Sequence, residues 1–227
     1  MAVRSKKQHA IAVNAPVTRG GGKMIIKNAK FMTSYASFKK GDGFGVSEIA
    51  VAGKSNVGKS SFINYLANYN GLAKTSATPG KTKLINYFSM NNGEFMLVDL
   101  PGYGFAKVGE DEKKKWDKMI GSYLTQSENL KGVVVLVDVR HEPTALDKQM
   151  IAYLHHYGVP FIVVATKSDK LSKAQIAKQK SVIANALSMG TSDILTVSAL
   201  KKEGKEAILE KIENLLTFIS EDDETDE

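Results

Sequence analysis

The chain has no cysteine among its 227 residues. That absence excludes a disulfide framework, thiolate metal sites, a cysteine nucleophile and a thiol redox motif together. It agrees with a reducing compartment, although a cysteine-free secreted protein is physically allowed. Long apolar runs are lacking too: none approaches the ~20 residues needed to span a bilayer. The opening stretch MAVRSKKQHAIAVNAPVTRGGGK has no continuous apolar signal-peptide core. A soluble, cytoplasmic protein without a membrane partner is expected. Arginine is scarce, with Arg4, Arg19 and Arg140 the only three. The four histidines, His9, His141, His155 and His156, show no metal spacing with carboxylates, and no Ser-His-Asp arrangement stands out. Hydrophobic residues at 43% and charged residues at 24% are ordinary for a folded protein, which excludes global disorder.

Charge is plentiful but uneven. The net charge is +7, yet residues 1–47 alone carry +8, with Asp42 their single acid, and the closing EDDETDE holds six acids. Without that tail the chain carries +13. Such a surface suits a polyanion such as RNA, while basic arms and acidic tails also serve simply as solubilising ends. Residues 1–24, with three consecutive glycines at Gly20 to Gly22, read as a flexible basic arm, 25–219 as one domain, and 220–227 as an acidic tail.

From residue 48 onward, short β-branched runs alternate with longer amphipathic segments, the pattern of a mostly parallel sheet covered by helices. The runs are EIAVAG, LINYFSM, EFMLVDL, GVVVLVDV, FIVVAT and DILTVS. The turn signal Asn91-Asn92-Gly93 joins the second and third, so one of the six strands should run antiparallel. Helices are expected over roughly Lys59–Tyr69, Glu112–Gln126, Thr144–Tyr157, Lys173–Ser188 and Lys205–Ile219.

Between the first run and the first helix stands GKSNVGKS, which matches G-x-x-x-x-G-K-[ST] in the strand-loop-helix setting that a phosphate loop requires. Gly53 and Gly58 let the backbone curl so that amides of Lys54, Ser55, Asn56 and Val57 line a nest, and the helix N-terminus adds positive potential. Lys59 would bridge the β- and γ-phosphates, Ser60 would offer its hydroxyl to magnesium, and Ser61 would reach the α-phosphate. This predicts a three-layer P-loop nucleoside-triphosphatase fold. A kinase, an ATPase and a GTPase would share the loop, so the base must be read elsewhere.

The third run ends in VDLPG, which puts Asp99, Leu100, Pro101 and Gly102 at the carboxyl edge of a strand, where ligands of open α/β sheets bind. Asp99 is a candidate magnesium anchor, directly or through water. The Gly102 amide is placed to sense the γ-phosphate. FIVVATKSDK then sets Thr166, Lys167, Ser168 and Asp169 after another strand. Guanine presents a ring N–H and an exocyclic amine that one carboxylate accepts together, whereas adenine presents an acceptor there. Asp169 therefore selects GTP, and Lys167 can lay its methylene stem across the base. After the last run, Val197, Ser198 and Ala199 open a loop whose amide is in reach of the guanine carbonyl.

Taken in order, GKSNVGKSS, TSATPGKT, DLPGYGFAKV, TKSDK and VSALKKEG resemble the EngB (YihA/YsxC) GTPases of the TrmE-Era-EngA-EngB-Septin superfamily. The resemblance runs from about Phe31 to Ile219, and PGKTKLINYF and VDVRHEPTALDKQM look like subfamily signatures beyond the general GTPase boxes. It implies a Ras-like fold, a first switch around Gly80, Lys81, Thr82, Lys83 and Leu84 with Thr82 as a magnesium ligand, and a second switch opening at Asp99 to Gly102. It also implies a role in large ribosomal subunit assembly and in normal cell division and septation, with rRNA as a partner; a monomer is expected. Lys113 to Lys115 with Trp116 could then contact RNA phosphates and stack on a base, or form a solvated helix start with Trp116 in the core.

Where many small GTPases place a water-orienting Gln after the DxxG glycine, this chain has Tyr103, and no arginine lies in either switch. Unassisted hydrolysis should be slow. Asn56 stands where potassium-activated relatives use an Asn beside the phosphates, so Lys59, Thr82 and Asn56 are the expected catalytic set, with potassium supplying the missing charge. A nucleotide-regulated binding module for a division protein, with incidental turnover, is the alternative. A nucleoside kinase is disfavoured by the guanine-type TKSD box.

Overall fold

The computed structural model describes residues 23–74, 84–104 and 110–217, with side chains from 114 onward in the last stretch. The expected sites at Gly80, Lys81, Thr82 and Lys83, most of the basic arm and the acidic tail lie outside these residues.

Seven strands form one sheet: β1 Ala29–Tyr35, β2 Glu48–Gly53, β3 Ile85–Met90, β4 Phe95–Asp99, β5 Leu130–Asp138, β6 Phe161–Thr166 and β7 Ile194–Thr196. Their spatial order is β1-β3-β4-β2-β5-β6-β7, with β3 antiparallel to both neighbours and the remaining pairs parallel. The expected α/β class with one reversed strand holds, and the strand count rises from six to seven. The added strand is β1. It lies at the sheet edge with Lys30, Phe31 and Met32 exposed and a register shift between Phe31 and Thr33, so it lacks the apolar run that marks an inner strand.

The hairpin at Asn91 to Gly93 forms because all three residues adopt positive φ, of 49°, 60° and 97°. Asn91 and Asn92 also bond to Ile25 and Asn28, which ties the turn to the segment before β1.

Helices α1 Lys59–Leu66, α2 Glu110–Gln126, α3 Ala145–Tyr157, α4 Lys173–Ala186 and α5 Lys205–Thr217 complete three layers. Alternating strand residues point to opposite faces. Ala50, Ala52, Val133, Val135 and Val137 pack with Ile120 and Tyr123 of α2, Leu154 of α3 and Ile183 of α4. Ile49, Val51, Val134 and Leu136 pack with Phe62 and Ile63 of α1 and Ile212 and Leu215 of α5. Burial on both faces explains why β2 and β5 read as continuous apolar runs.

Chain reversals at the carboxyl ends of β2, β4, β5, β6 and β7 gather the sequence-predicted loops on one rim. The opposite rim carries Glu48, fully buried under α2.

Candidate functional site: a phosphate loop strapped to a base pocket

The phosphate loop is shaped by close approach. A Cβ at Gly53 would lie 2.9 Å from Val57 Cγ1 and 3.1 Å from the Leu136 carbonyl oxygen, so no larger residue fits without displacement. Asn56 and Gly58 have φ of 64° and 105°, and Gly58 is the N-cap of α1 without any side-chain cap. By contrast α3 and α4 are closed by capping boxes, Thr144 with Asp147 and Ser172 with Gln175. The open first turn of α1, which also holds no acid, leaves its amides and positive end for an anion.

Thr166 straps this loop to the turn that follows β6. Its hydroxyl lies 2.6 Å from the Val57 carbonyl and 3.1 Å from that of Val137, and with one proton it donates to one at a time. Lys167, in the left-handed region with φ of 63°, sends its ammonium to the Asn56 carbonyl at 2.8 Å and to Asp138 at 2.9 Å.

Asp169 sits in a one-turn helix, Ser168–Lys170, with its side chain only 7% exposed. Ser198 donates to its Oδ1 at 2.8 Å and Lys170 stands 3.4 Å from Oδ2. Burial pushes the Asp169 carboxyl up, and the Ser198 and Lys170 contacts outweigh it, so the group is held below the usual carboxylate range and stays ionised. The VSALKKEG loop closes behind it through reciprocal backbone bonds of Ser198 and Glu203. Gly204, with φ of 86°, is required there because a Cβ would meet the Thr196 carbonyl oxygen at 2.2 Å. A cavity of about 700 Å³ opens between Gly58, Ser61, Lys167, Asp169, Val197 and Ala199, a volume suited to a nucleoside.

On the other side, Lys59 pairs with Asp99 Oδ1, and the Asn86 amide donates to Oδ2 at 3.3 Å. Asp99 is 3% exposed. Beyond it the β2–β4 pairing continues into both loops: Leu100 N donates to Val51 O, Tyr103 N to Gly53 O and Ser55 N to Tyr103 O at 2.8 Å. Gly102 therefore rests on the phosphate loop, where a Cβ would come within 3.2 Å of Ser55 Oγ. Leu84, from the expected first switch, is 38% exposed.

The structure decides between the two readings of Trp116. It is not offered to a nucleobase: its indole N–H donates to the Pro101 carbonyl at 2.9 Å and its ring packs edge-on against Tyr103. Lys114 and Lys115 remain exposed. Sequence reasoning also missed Asn86, which sits inside an apolar run, and Asn64, which clamps the backbone of Ala73 through paired bonds of 2.9 and 2.7 Å.

The family model described as 50S ribosome-binding GTPase matches residues 48–167, and that of the elongation factor Tu GTP-binding domain matches 117–218. The probable GTP-binding protein EngB of Desulforamulus reducens is 50% identical over 85% of this chain and 95% of its own. This chain belongs to the EngB family of GTP-binding proteins. An EngB from Clostridium kluyveri is 48% identical over 87% of this chain and all of its own length. A crystal structure of a probable EngB superposes with a TM-score of 0.62 at 23% identity, covering 75% of this chain and 98% of that one. A single-residue variant of Aquifex aeolicus Era bound to GDP·AlF4⁻ superposes with 0.58 at 22% identity, over 78% and 58%. At that identity both show the fold alone. As an EngB protein the chain is a GTPase with the P-loop fold. No helix among the described residues is long and apolar enough to cross a membrane.

Proposed function

We propose that this protein is a slow GTP-hydrolysing switch that acts in the cytoplasm as a monomer in large ribosomal subunit assembly, and thereby in normal cell division and septation. The observation that carries the nucleotide reading is the strap between the two loops: Thr166 and Lys167 hold the phosphate loop while Asp169, ionised and with its side chain 7% exposed, faces the same cavity. In this reading Asp169 accepts from the guanine edge, the Lys167 stem covers one face of the ring, and the Gly53 to Ser61 amides with Lys59 hold the phosphates.

Magnesium fits the donor set. Ser60, in the first turn of α1, and Asp99, at the end of β4, offer hard oxygens, and both Asp99 oxygens already accept protein donors, which favours contact through water. Bound there with Thr82, the ion would neutralise charge on the β- and γ-phosphates. Tyr103 turns its hydroxyl to Asp147 rather than to the phosphate site, which supports a slow intrinsic rate. Asn56 would help hold a potassium ion, which would supply the positive charge that an arginine supplies elsewhere.

The ribosomal role is supported by the matching family's description and by the +13 charge ahead of the acidic tail. Co-sedimentation tests it. GTP-dependent association with large-subunit particles that weakens with salt is expected, whereas salt-insensitive capture of a division protein without rRNA would favour the binding-module alternative.

A further inference from the structure

The VDVRHEPTALDKQM signature contains two residues that no phosphate or base contact uses. Asp138 ends β5 directly across from Thr166 in β6, so its carboxylate stands beside the base-reading turn. Its side chain is 16% exposed. Oδ1 accepts from Arg140 Nε at 2.9 Å and from the Arg140 backbone N–H at 3.1 Å. Oδ2 accepts from Arg140 Nη2 at 2.7 Å and from Lys167 Nζ at 2.9 Å.

We infer that Asp138, oriented by Arg140, is the positioning residue that fixes Lys167 as the platform for the purine ring. This rests on the reading of Lys167 as that platform. A lysine stem has four rotatable carbons and its ammonium is a point charge that accepts many geometries. With the Asn56 carbonyl as sole acceptor it would swing about that point. The planar guanidinium fork pins the carboxylate in one plane, and the carboxylate then supplies a second acceptor that sets the course of the stem. Two cations flank one partly buried anion, so removing the anion leaves Arg140 and Lys167 repelling each other as well as loose. Burial alone would raise the Asp138 carboxyl, but the Arg140 and Lys167 bonds hold it well below the usual carboxylate range.

A stem contact touches the ring face common to all purines, whereas Asp169 reads the exocyclic amine. The two roles therefore separate experimentally. Dissociation of fluorescent GDP and IDP is followed by stopped flow on the full chain, with native circular dichroism required of each variant. Asp138→Asn should speed release of both nucleotides about tenfold with their ratio unchanged, and Arg140→Gln about threefold. Lys167→Met should speed release by more than either, and adding Asp138→Asn to it should change nothing further, because both act through one side chain. Wild-type release from Asp138→Asn, or a full multiplicative effect on top of Lys167→Met, overturns the inference. If Asp138→Asn does not fold, wild-type release from Arg140→Gln overturns it equally. If Lys167→Met itself releases GDP at the wild-type rate, the platform reading fails first, and this one with it.

Discussion

The Tyr103 hydroxyl donates to Asp147 Oδ1 at 2.8 Å, and the other oxygen of Asp147 accepts from the backbone N–H and hydroxyl of Thr144, each at 2.7 Å. The residue after the DLPG glycine is thereby fastened to the N-terminus of α3, 5% exposed Asp147 being its anchor. Tyr103→Phe removes one donor from a buried carboxylate and should cost about 1.5–3 kcal/mol in urea unfolding. A change below about 0.5 kcal/mol would mean the bond is incidental.

Asp169→Asn replaces an acceptor pair by one acceptor and one donor. Guanine nucleotide affinity should fall about hundredfold, and xanthosine triphosphate, which carries a carbonyl in place of the amine, should gain. Isothermal titration with GTP, XTP and ATP reads the outcome. Unchanged GTP preference would show that the base is read elsewhere.

Thr166→Val leaves the Val57 carbonyl without its side-chain donor while keeping the shape nearly constant. A loss of about 1–3 kcal/mol in stability is expected, together with faster GDP release, because the strap and the phosphate loop move as one. Thr166→Ser, which restores the hydroxyl, should recover most of both. Failure of that recovery would assign the effect to packing instead.

Replacing sodium by potassium should raise GTP turnover, and Asn56→Ala should abolish the difference between the two salts. Equal turnover in both salts, with rRNA also without effect, would remove potassium and rRNA from the mechanism.

Glu48 gives a pH dependence of known sign. It is fully buried, with Oε2 accepting from Tyr123 at 2.8 Å and Ser127 at 3.0 Å and Oε1 without a partner. Burial pushes its carboxyl above the ordinary 4.5, and the two hydrogen bonds offset this only in part. An acid whose folded pKa exceeds its unfolded value binds more protons when folded. Its cost is therefore absent below the unfolded value and grows as pH rises through the folded one. Glu48→Gln should flatten that decline in unfolding free energy above about pH 4.5. An unaltered slope would show that Glu48 is not its source.

The sequence alone determined the fold class, the place of five helices and six strands, and the guanine-type order of loops. These follow from local signals: periodicity, glycines at forced turns, and the fixed spacing of a phosphate loop. It left Trp116 between two readings because a charged helix start looks the same whether its aromatic faces solvent or core. It missed β1, whose half-exposed edge carries no apolar run.

Only the tertiary structure decided which separated residues meet: Asn86 with Asp99, Asp138 with Lys167, Tyr103 with Asp147. Each pair is joined by strand adjacency or by a helix end brought to the same rim. Side-chain hydrogen bonds across such gaps depend on register and distance, which no spacing along the chain encodes.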